Sequence, residues 1–305
     1  MRKLTVGTRG SALALRQTDL IADSLKSLYP GLEIDIRIIK TKGDKILDTP
    51  LAEVGDKGFF VKELELALLC GDIDIAVHSM KDLPTKLTEG LRIAAVPERV
   101  DPSDVLITNR SGLIDLPNGA RIGTSSLRRR AQLLHFRPDL QIADLRGNLD
   151  TRIRKLDEGE YDGIVVACAG LHRMGWTERI TEKIPFEICL PAVGQGALAI
   201  QARADDADTI GLLMALDHPE SRAAVTAERS LMRSLEGDCQ VPVGALASIK
   251  DDDLVLTGVV ASINGNRLVR REVSGDQDKP EELGEELANV LLSAGADDIF
   301  RKLRI

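Results

Sequence analysis

The sequence predicts an α/β chain with two doubly wound domains and a small α+β domain at its C-terminal end. Three observations carry this. Strand-like and helix-like segments alternate along roughly the first two-thirds, two proline- and glycine-rich breaks bracket the middle of that stretch, and consecutive strands closed by a helix follow. At 305 residues the chain exceeds the size at which one core stops growing, so two or three domains are expected.

Leu4–Gly7 is a short strand. A helix begins near Ser11, places Ala14, Ile21, Leu25 and Leu28 at helical spacing, and stops at Pro30-Gly31. In Glu33–Lys40, Ile34, Ile36 and Ile38 alternate with Asp35 and Arg37, the period of a strand. The stretch from Thr41 to Gly58, with Gly43, Pro50 and Gly55, is too long and polar for a routine connection and reads as a mobile loop or lid. Phe60–Leu69 is helical on Phe60, Leu64, Ala67 and Leu68, and Ile73–His78 and Leu91–Val96 are strands.

Pro97-Glu98-Arg99-Val100-Asp101-Pro102 then interrupts the pattern as a crossover. A second run follows: a strand ending at Ile122-Gly123, a helix over Ser126–Phe136, a strand over Gln141–Asp144, a helix over Asn148–Leu156 and an apolar strand over Gly163–Cys168. Pro191-Ala192-Val193-Gly194-Gln195-Gly196 is the second break, before the strand Leu198–Ala202. A block bracketed in this way implies that the chain leaves the first domain and returns to it. The expected first domain is 1–97 with 197–216, and the second is 98–196. A helix over about Ser221–Leu235 turns Ala224, Ala227, Leu231 and Leu235 inward. Strands at Ala245–Ile249, Leu254–Val260 and Arg267–Val273 follow, with Asn264-Gly265 as a hairpin signal, and a helix over about Glu282–Ala294 closes 217–305 as the α+β domain.

With 48 acidic against 40 basic residues and a formal charge of −8, a general nucleic-acid binder is excluded, because phosphate affinity needs clustered basic charge. Aromatic residues are 3% of the chain, so the cores are aliphatic. No apolar run approaches the roughly 18 residues of a membrane helix, and Met1 to Arg9 lacks a signal-peptide core, which predicts a cytoplasmic protein without a membrane partner. Cys70, Cys168, Cys189 and Cys239 lie far apart without C-x-x-C or zinc-finger spacing, so thiols and no metal site are expected. Gly194-x-Gly196-x-x-Ala199 fits a dinucleotide fingerprint only in name, since it precedes a strand-like segment instead of joining strand to helix.

The charges are unevenly placed. Arg121 to Arg154 holds eight arginines and three acids, a net +5 (8 − 3), whereas Glu272 to Asp298 holds nine acids and one lysine. Such a run is commonly a solvated helix face; its position favours an anion site. Thr124-Ser125-Ser126 follows a strand and opens a helix, so its hydroxyls and free N–H groups can hold an anion. Arg128 and Arg129 lie in that helix's first turns, where cations oppose the helix dipole and a bound anion explains them. Arg146-Gly147-Asn148, with Arg152 beyond it, repeats the junction, and Thr8-Arg9-Gly10-Ser11 does so in the first domain. The expectation is a cleft for a multiply carboxylated ligand. In His78-Ser79-Met80-Lys81-Asp82-Leu83-Pro84, Asp82 is either a turn cap or a carboxylate that donates a proton or steadies a cation. Cys239 sits on a Gly/Pro-bounded loop, unlike the other three cysteines in or beside apolar stretches.

These segments resemble the porphobilinogen deaminase (hydroxymethylbilane synthase) family over essentially the whole length. The blocks that carry the resemblance are Thr8–Leu15, Lys57–Glu65, Ala76–Pro84, Gly123–Arg129, Leu145–Asn148, Leu190–Gly196 and Leu235–Pro242. It implies two periplasmic-binding-protein-like domains plus the small third one, a monomer, and porphobilinogen as substrate. It further implies a dipyrromethane cofactor joined by a thioether to Cys239, onto which four porphobilinogens are added. By the same resemblance Asp82 is the catalytic carboxylate. Lys81, Thr124, Ser125, Ser126, Arg128, Arg129, Arg146 and Arg152 bind the cofactor's carboxylates; Arg9, Ser11, Arg146, Arg152, Arg173 and Gln195 bind substrate; Lys57 and Phe60 belong to the lid. Asp238 stands where the family usually has a second glycine, and its carboxylate is expected to raise the neighbouring thiol's pKa. Glu53 and Asp56 replace a common lysine and glycine. Two rival readings are a non-catalytic two-lobed anion-binding protein and a transferase using Cys239 as a transient nucleophile; a permanent adduct on Cys239 separates both from the family reading.

Overall fold

The computed structural model describes residues 3–41, 61–235 and 242–303. The expected lid, with Lys57, Phe60, Glu53 and Asp56, and the loop carrying Asp238 and Cys239 lie outside the described residues. The chain forms two compact units, Met1–Val100 with Ala197–Arg222 and Asp101–Gly196 with Ala223–Ile305.

In chain order, the first passage supplies β1 (Lys3–Thr8), α1 (Ala12–Leu28), β2 (Glu33–Ile38), α2 (Lys62–Leu69), β3 (Ile75–Ser79) and β4 (Leu91–Ala95). The middle supplies β5 (Asp104–Thr108), β6 (Arg121–Gly123), α3 (Leu127–Phe136), β7 (Gln141–Ala143), α4 (Leu149–Asp157), β8 (Gly163–Ala167), α5 (Cys168–Met174) and β9 (Glu182–Lys183). Next come β10 (Leu198–Arg203), α6 (Ala207–Leu213) and α7 (Pro219–Ser234). The chain ends with β11 (Val243–Lys250), β12 (Asp253–Ala261), β13 (Leu268–Asp276), α8 (Pro280–Leu291) and α9 (Asp297–Leu303).

In the first unit the sheet order is β2-β1-β3-β10-β4, with β1 parallel to both neighbours and the returning β10 antiparallel to β3 and β4. α1 starts where Ser11, in extended conformation, accepts the Ala14 amide on its hydroxyl, and it buries Ile21 and Leu25 against Leu4, Val6, Ile75 and Val77. Each such side chain contributes on the order of 1.5–3 kcal/mol of burial free energy. The expected alternation in β2 is weak: Ile34 and Ile36 are half-buried and Ile38 is exposed, because β2 is the sheet's edge.

In the second unit one sheet runs β7-β6-β8-β5-β9, with β6 parallel to β7 and β8. Val105, Ile107, Ile164 and Val166 pack in one core with Ile153, Leu156 and Leu171, while the intervening Leu106 and Val165 pack in another with Leu133 and Leu140. Both faces of this sheet are therefore covered. β5 fills a stretch for which the sequence predicts no element; each of its five residues is buried, between β8 and β9. The strand expected over Gly163–Cys168 stops one residue early, since Cys168 begins α5.

The same unit contains the antiparallel sheet β11-β12-β13, whose core joins Leu254 and Leu256 to Leu231, Leu287 and Leu291 of α7 and α8. The expected hairpin forms at Asn264-Gly265. Gly265 has φ +75, and a Cβ there would lie 2.5 Å from the His135 backbone nitrogen of α3, so glycine serves both the turn and the packing. The terminal helix breaks at Gly295, φ 104, before α9.

Candidate functional site

Within the first unit, the adjacent parallel strands β1 and β3 end at the same edge of the sheet, in the register Val6–Ile75 and Gly7–Ala76. β1 delivers Arg9, half-buried, and Ser11, whose hydroxyl caps α1 at 3.3 Å from the Ala14 amide. β3 runs into a 3₁₀ turn, Met80–Asp82. Met80 is buried and its N–H donates to Ala197 O at 3.0 Å, which anchors the turn and leaves the side chains of Lys81 and Asp82 exposed. Gln17 of α1 donates to Ser79 Oγ at 2.8 Å and ties that helix to the end of β3. The sheet thus brings Arg9, Ser11, Lys81 and Asp82 to one edge, where doubly wound sheets bind ligands.

Beneath that turn lies a buried polar chain. Thr88 Oγ1 donates to Glu65 Oε2 at 2.6 Å, Gln201 Nε2 donates to Glu65 Oε1 at 2.9 Å, and Gln201 Oε1 lies 3.0 Å from His78 Nε2. A carboxylate only accepts, so Glu65 fixes the orientation of the Gln201 amide. Gln201 Oε1 then requires a proton on His78 Nε2, leaving Nδ1 to titrate. Burial lowers the His78 pKa from 6.5 to about 4, outweighing the Gln201 bond, and the charge of Arg9 adds to the shift.

Within the second unit, the loops after the parallel neighbours β6 and β7 are laced together. Thr124 N–H donates to Ala143 O at 2.9 Å, and Ser125 Oγ both donates to Leu145 O and accepts from Leu145 N–H at 3.0 Å. Ser126 caps α3 by accepting the Arg129 amide at 3.4 Å. Arg146 is half-buried in the second loop, and Arg152 Nε donates to Gly147 O at 2.8 Å. Gly147 has φ +105, and a Cβ there would stand 2.8 Å from Thr151 Cβ, so this turn admits no larger residue without strain.

Arg128 and Arg129 turn inward. Arg128 Nη1 donates to Asp104 Oδ2 at 2.6 Å and to Leu190 O at 2.5 Å. Arg129 donates to Asp104 Oδ1 from Nε at 2.9 Å and Nη2 at 2.7 Å, and to Val165 O from Nη1 at 2.9 Å. A bound anion was the expected explanation for cations in the first turns of α3. The structure supplies an internal one, Asp104, which is 0% exposed. Burial alone would raise that carboxyl's pKa, but the two guanidiniums outweigh it and hold it well below the usual carboxylate range. Gln195, 1% exposed, donates to Pro102 O at 2.8 Å and Asp104 Oδ1 at 2.9 Å, so its amide nitrogen serves this cluster. Arg173 is also buried, with Nη2 donating to Gly196 O at 2.6 Å, and burial lowers its pKa to about 10. Asp104 gave no motif; the only signal was an acid opening an apolar run, Asp104-Val105-Leu106-Ile107, straight after Pro102-Ser103.

These groups fit a carboxylate-rich cofactor. The cluster carries two guanidinium charges against one carboxylate, a net +1 (2 − 1), with side chains 6%, 7% and 0% exposed. Arg128 Nε is buried without a hydrogen-bond partner among the described residues. Among the described residues no group of His, Cys, Asp and Glu could hold a metal ion, and no helix is long and apolar enough to cross a membrane.

Two doubly wound sheets with arginines and hydroxyls at the ends of adjacent parallel strands, plus an antiparallel α+β domain, define an α/β protein built to handle carboxylated ligands. Its particular family is given by sequence: the chain belongs to the porphobilinogen deaminase family. Residues 4–211 match the model "Porphobilinogen deaminase, dipyromethane cofactor binding domain", and residues 222–293 match "Porphobilinogen deaminase, C-terminal domain". The porphobilinogen deaminase of Desulforudis audaxviator is 57% identical over 305 residues, 99% of this chain and 98% of that protein. That of Desulforamulus reducens is 52% identical over 303 residues, 99% and 98% of the respective chains. A solved structure of the periplasmic aliphatic sulphonate binding protein SsuA from Escherichia coli is similar at 15% identity and a TM-score of 0.41, covering 77% of this chain and 71% of that one.

Proposed function

We propose that the chain is a monomeric cytoplasmic transferase that polymerises four porphobilinogens head to tail onto a dipyrromethane primer held by Cys239. Each addition releases ammonia, and hydrolysis releases hydroxymethylbilane. The observation that carries this reading is the sheet edge at which Asp82 and Lys81 stand beside Arg9 and Ser11, in a chain of this family. Each of the three sheets has its own core, which supports three domains: 1–97 with 197–216, 98–196 and 217–305.

The primer supplies a nucleophilic terminal pyrrole and a covalent anchor. The protein's part is binding, charge stabilisation and proton transfer. Arg9 and Ser11 take the substrate's acetate and propionate, since guanidinium forks suit carboxylates. When the aminomethyl C–N bond of porphobilinogen breaks, its electron pair leaves with ammonia and an electron-poor methylene remains conjugated to the pyrrole nitrogen. Asp82, held on a turn whose backbone is fixed by Ala197, accepts the pyrrole N–H and stabilises this cation. The new C–C bond draws its electrons from the attacking pyrrole, and Asp82 receives the proton that the attacking pyrrole's α-carbon loses as its ring regains aromaticity. Lys81, Thr124, Ser125, Ser126, Arg146 and Arg152, with the cluster of Arg128 and Arg129, hold the primer's carboxylates; Arg146, Arg152, Arg173 and Gln195 serve the substrate.

The test is ammonia release from porphobilinogen, with Asp82→Asn as the perturbation. General acid–base help and charge stabilisation together are worth at least about 100-fold, so the variant should fold, keep its adduct and lose at least that factor in turnover. Turnover within about threefold of the parent would remove Asp82 from the chemistry, and a parent that binds porphobilinogen without releasing ammonia would leave only an anion-binding protein.

A further inference from the structure

α3 carries Arg128 and Arg129 as successive residues, which leave a helix about 100° apart and ordinarily point to different neighbours. Here both converge on Asp104, one oxygen each. The carboxylate itself cannot swing: Gln195 donates to Oδ1 at 2.9 Å, and the Cys189 thiol donates to Oδ2 at 3.4 Å. Gln132, one turn along α3, donates to Leu190 O at 3.1 Å and accepts from Leu190 N–H at 2.8 Å, holding the carbonyl that shares Arg128. The pair's acceptors are thus held by three side chains, Gln195, Cys189 and Gln132, and its net +1 charge is one anion short of neutrality.

From this geometry we propose that Asp104 is a positioning residue: it sets the two guanidiniums in the arrangement that receives a cofactor carboxylate, and so governs how fast the chain acquires its cofactor. The inference rests on the reading of Arg128 and Arg129 as cofactor ligands. Without Asp104 the cluster would gain positive charge but lose its shape. A purely electrostatic role therefore predicts faster capture of an anion, and positioning predicts slower capture.

The full chain, made in cells that produce no porphobilinogen, is mixed with porphobilinogen, and the intact mass of the denatured protein is followed in time. Asp104→Asn should slow adduct formation at least tenfold. Asp217→Asn is the control, since Asp217 pairs bidentately with Arg222 in the first unit at 2.7 Å and touches neither arginine of the cluster. At a comparable loss of melting temperature it should load at the parent's rate. Wild-type loading in Asp104→Asn, or equal slowing in the control, overturns the role. Should Asp104→Asn fail to fold, Asp104→Glu keeps the charge and moves the carboxylate by one methylene: slowed loading supports positioning and unchanged loading overturns it. Normal loading in both Arg128→Leu and Arg129→Leu would defeat the ligand reading itself; loss of loading there with normal Asp104→Asn defeats the inference alone.

Discussion

His78 titrates against the fold of the first unit, and the cost can be worked out. Its pKa falls from 6.5 to about 4 because burial disfavours the imidazolium. Between those values the unfolded chain binds more protons than the folded one, so stability rises with pH across the window. The contribution is fully present above pH 6.5, is lost as pH falls, and is gone near pH 4. At about 1.36 kcal/mol per unit, moving from pH 7 to pH 5 removes about 2 kcal/mol. Acidification also protonates carboxylates, so the test is a difference: His78→Gln does not titrate, and the parent should lose about 2 kcal/mol more than the variant between the two pH values. Urea unfolding followed by far-UV circular dichroism is the assay, since the single tryptophan, Trp176, lies in the other unit. Parallel pH dependences in parent and variant would refute a buried, neutral His78.

Other consequences are checked more simply. Gly147→Ala places a Cβ against Thr151 at φ +105 and should destabilise by about 1–3 kcal/mol, read by thermal unfolding; a melting temperature unchanged from the parent would show that the turn relaxes freely. Burial pushes the Cys189 thiol's pKa up to about 12, with the neighbouring Asp104 carboxylate adding to the shift, whereas Cys70 is exposed. Iodoacetamide at pH 8 should therefore modify Cys70 and spare Cys189 in the native protein, and comparable labelling of both would contradict the closed cluster.

What the sequence made legible was local. Ser11 and Ser126 cap helices as their positions before apolar-periodic segments imply, and Asn264-Gly265 turns the hairpin that its dipeptide signals. The junctions after β1, β6 and β7 fall where the strand-to-helix pattern puts them. What stayed hidden depends on partners distant along the chain. β5 is five buried residues without periodicity, and Asp104 acquires meaning only from arginines 24 and 25 positions later. For the same reason Arg128 and Arg129 could be recognised as cations needing an anion, but not as cations already facing one. Gln201, the link between Glu65 and His78, lies 123 residues from that histidine and carries no motif.

The central claim is covalent growth of a pyrrole chain on Cys239, and the intact mass of the denatured protein tests it most directly. Freshly made protein should exceed its polypeptide mass by two porphobilinogens less two ammonias, and brief exposure to porphobilinogen should add further units of one porphobilinogen less one ammonia. Cys239→Ser should show the bare polypeptide mass throughout. A bare mass for active parent protein, or the same adduct on Cys239→Ser, would contradict the account.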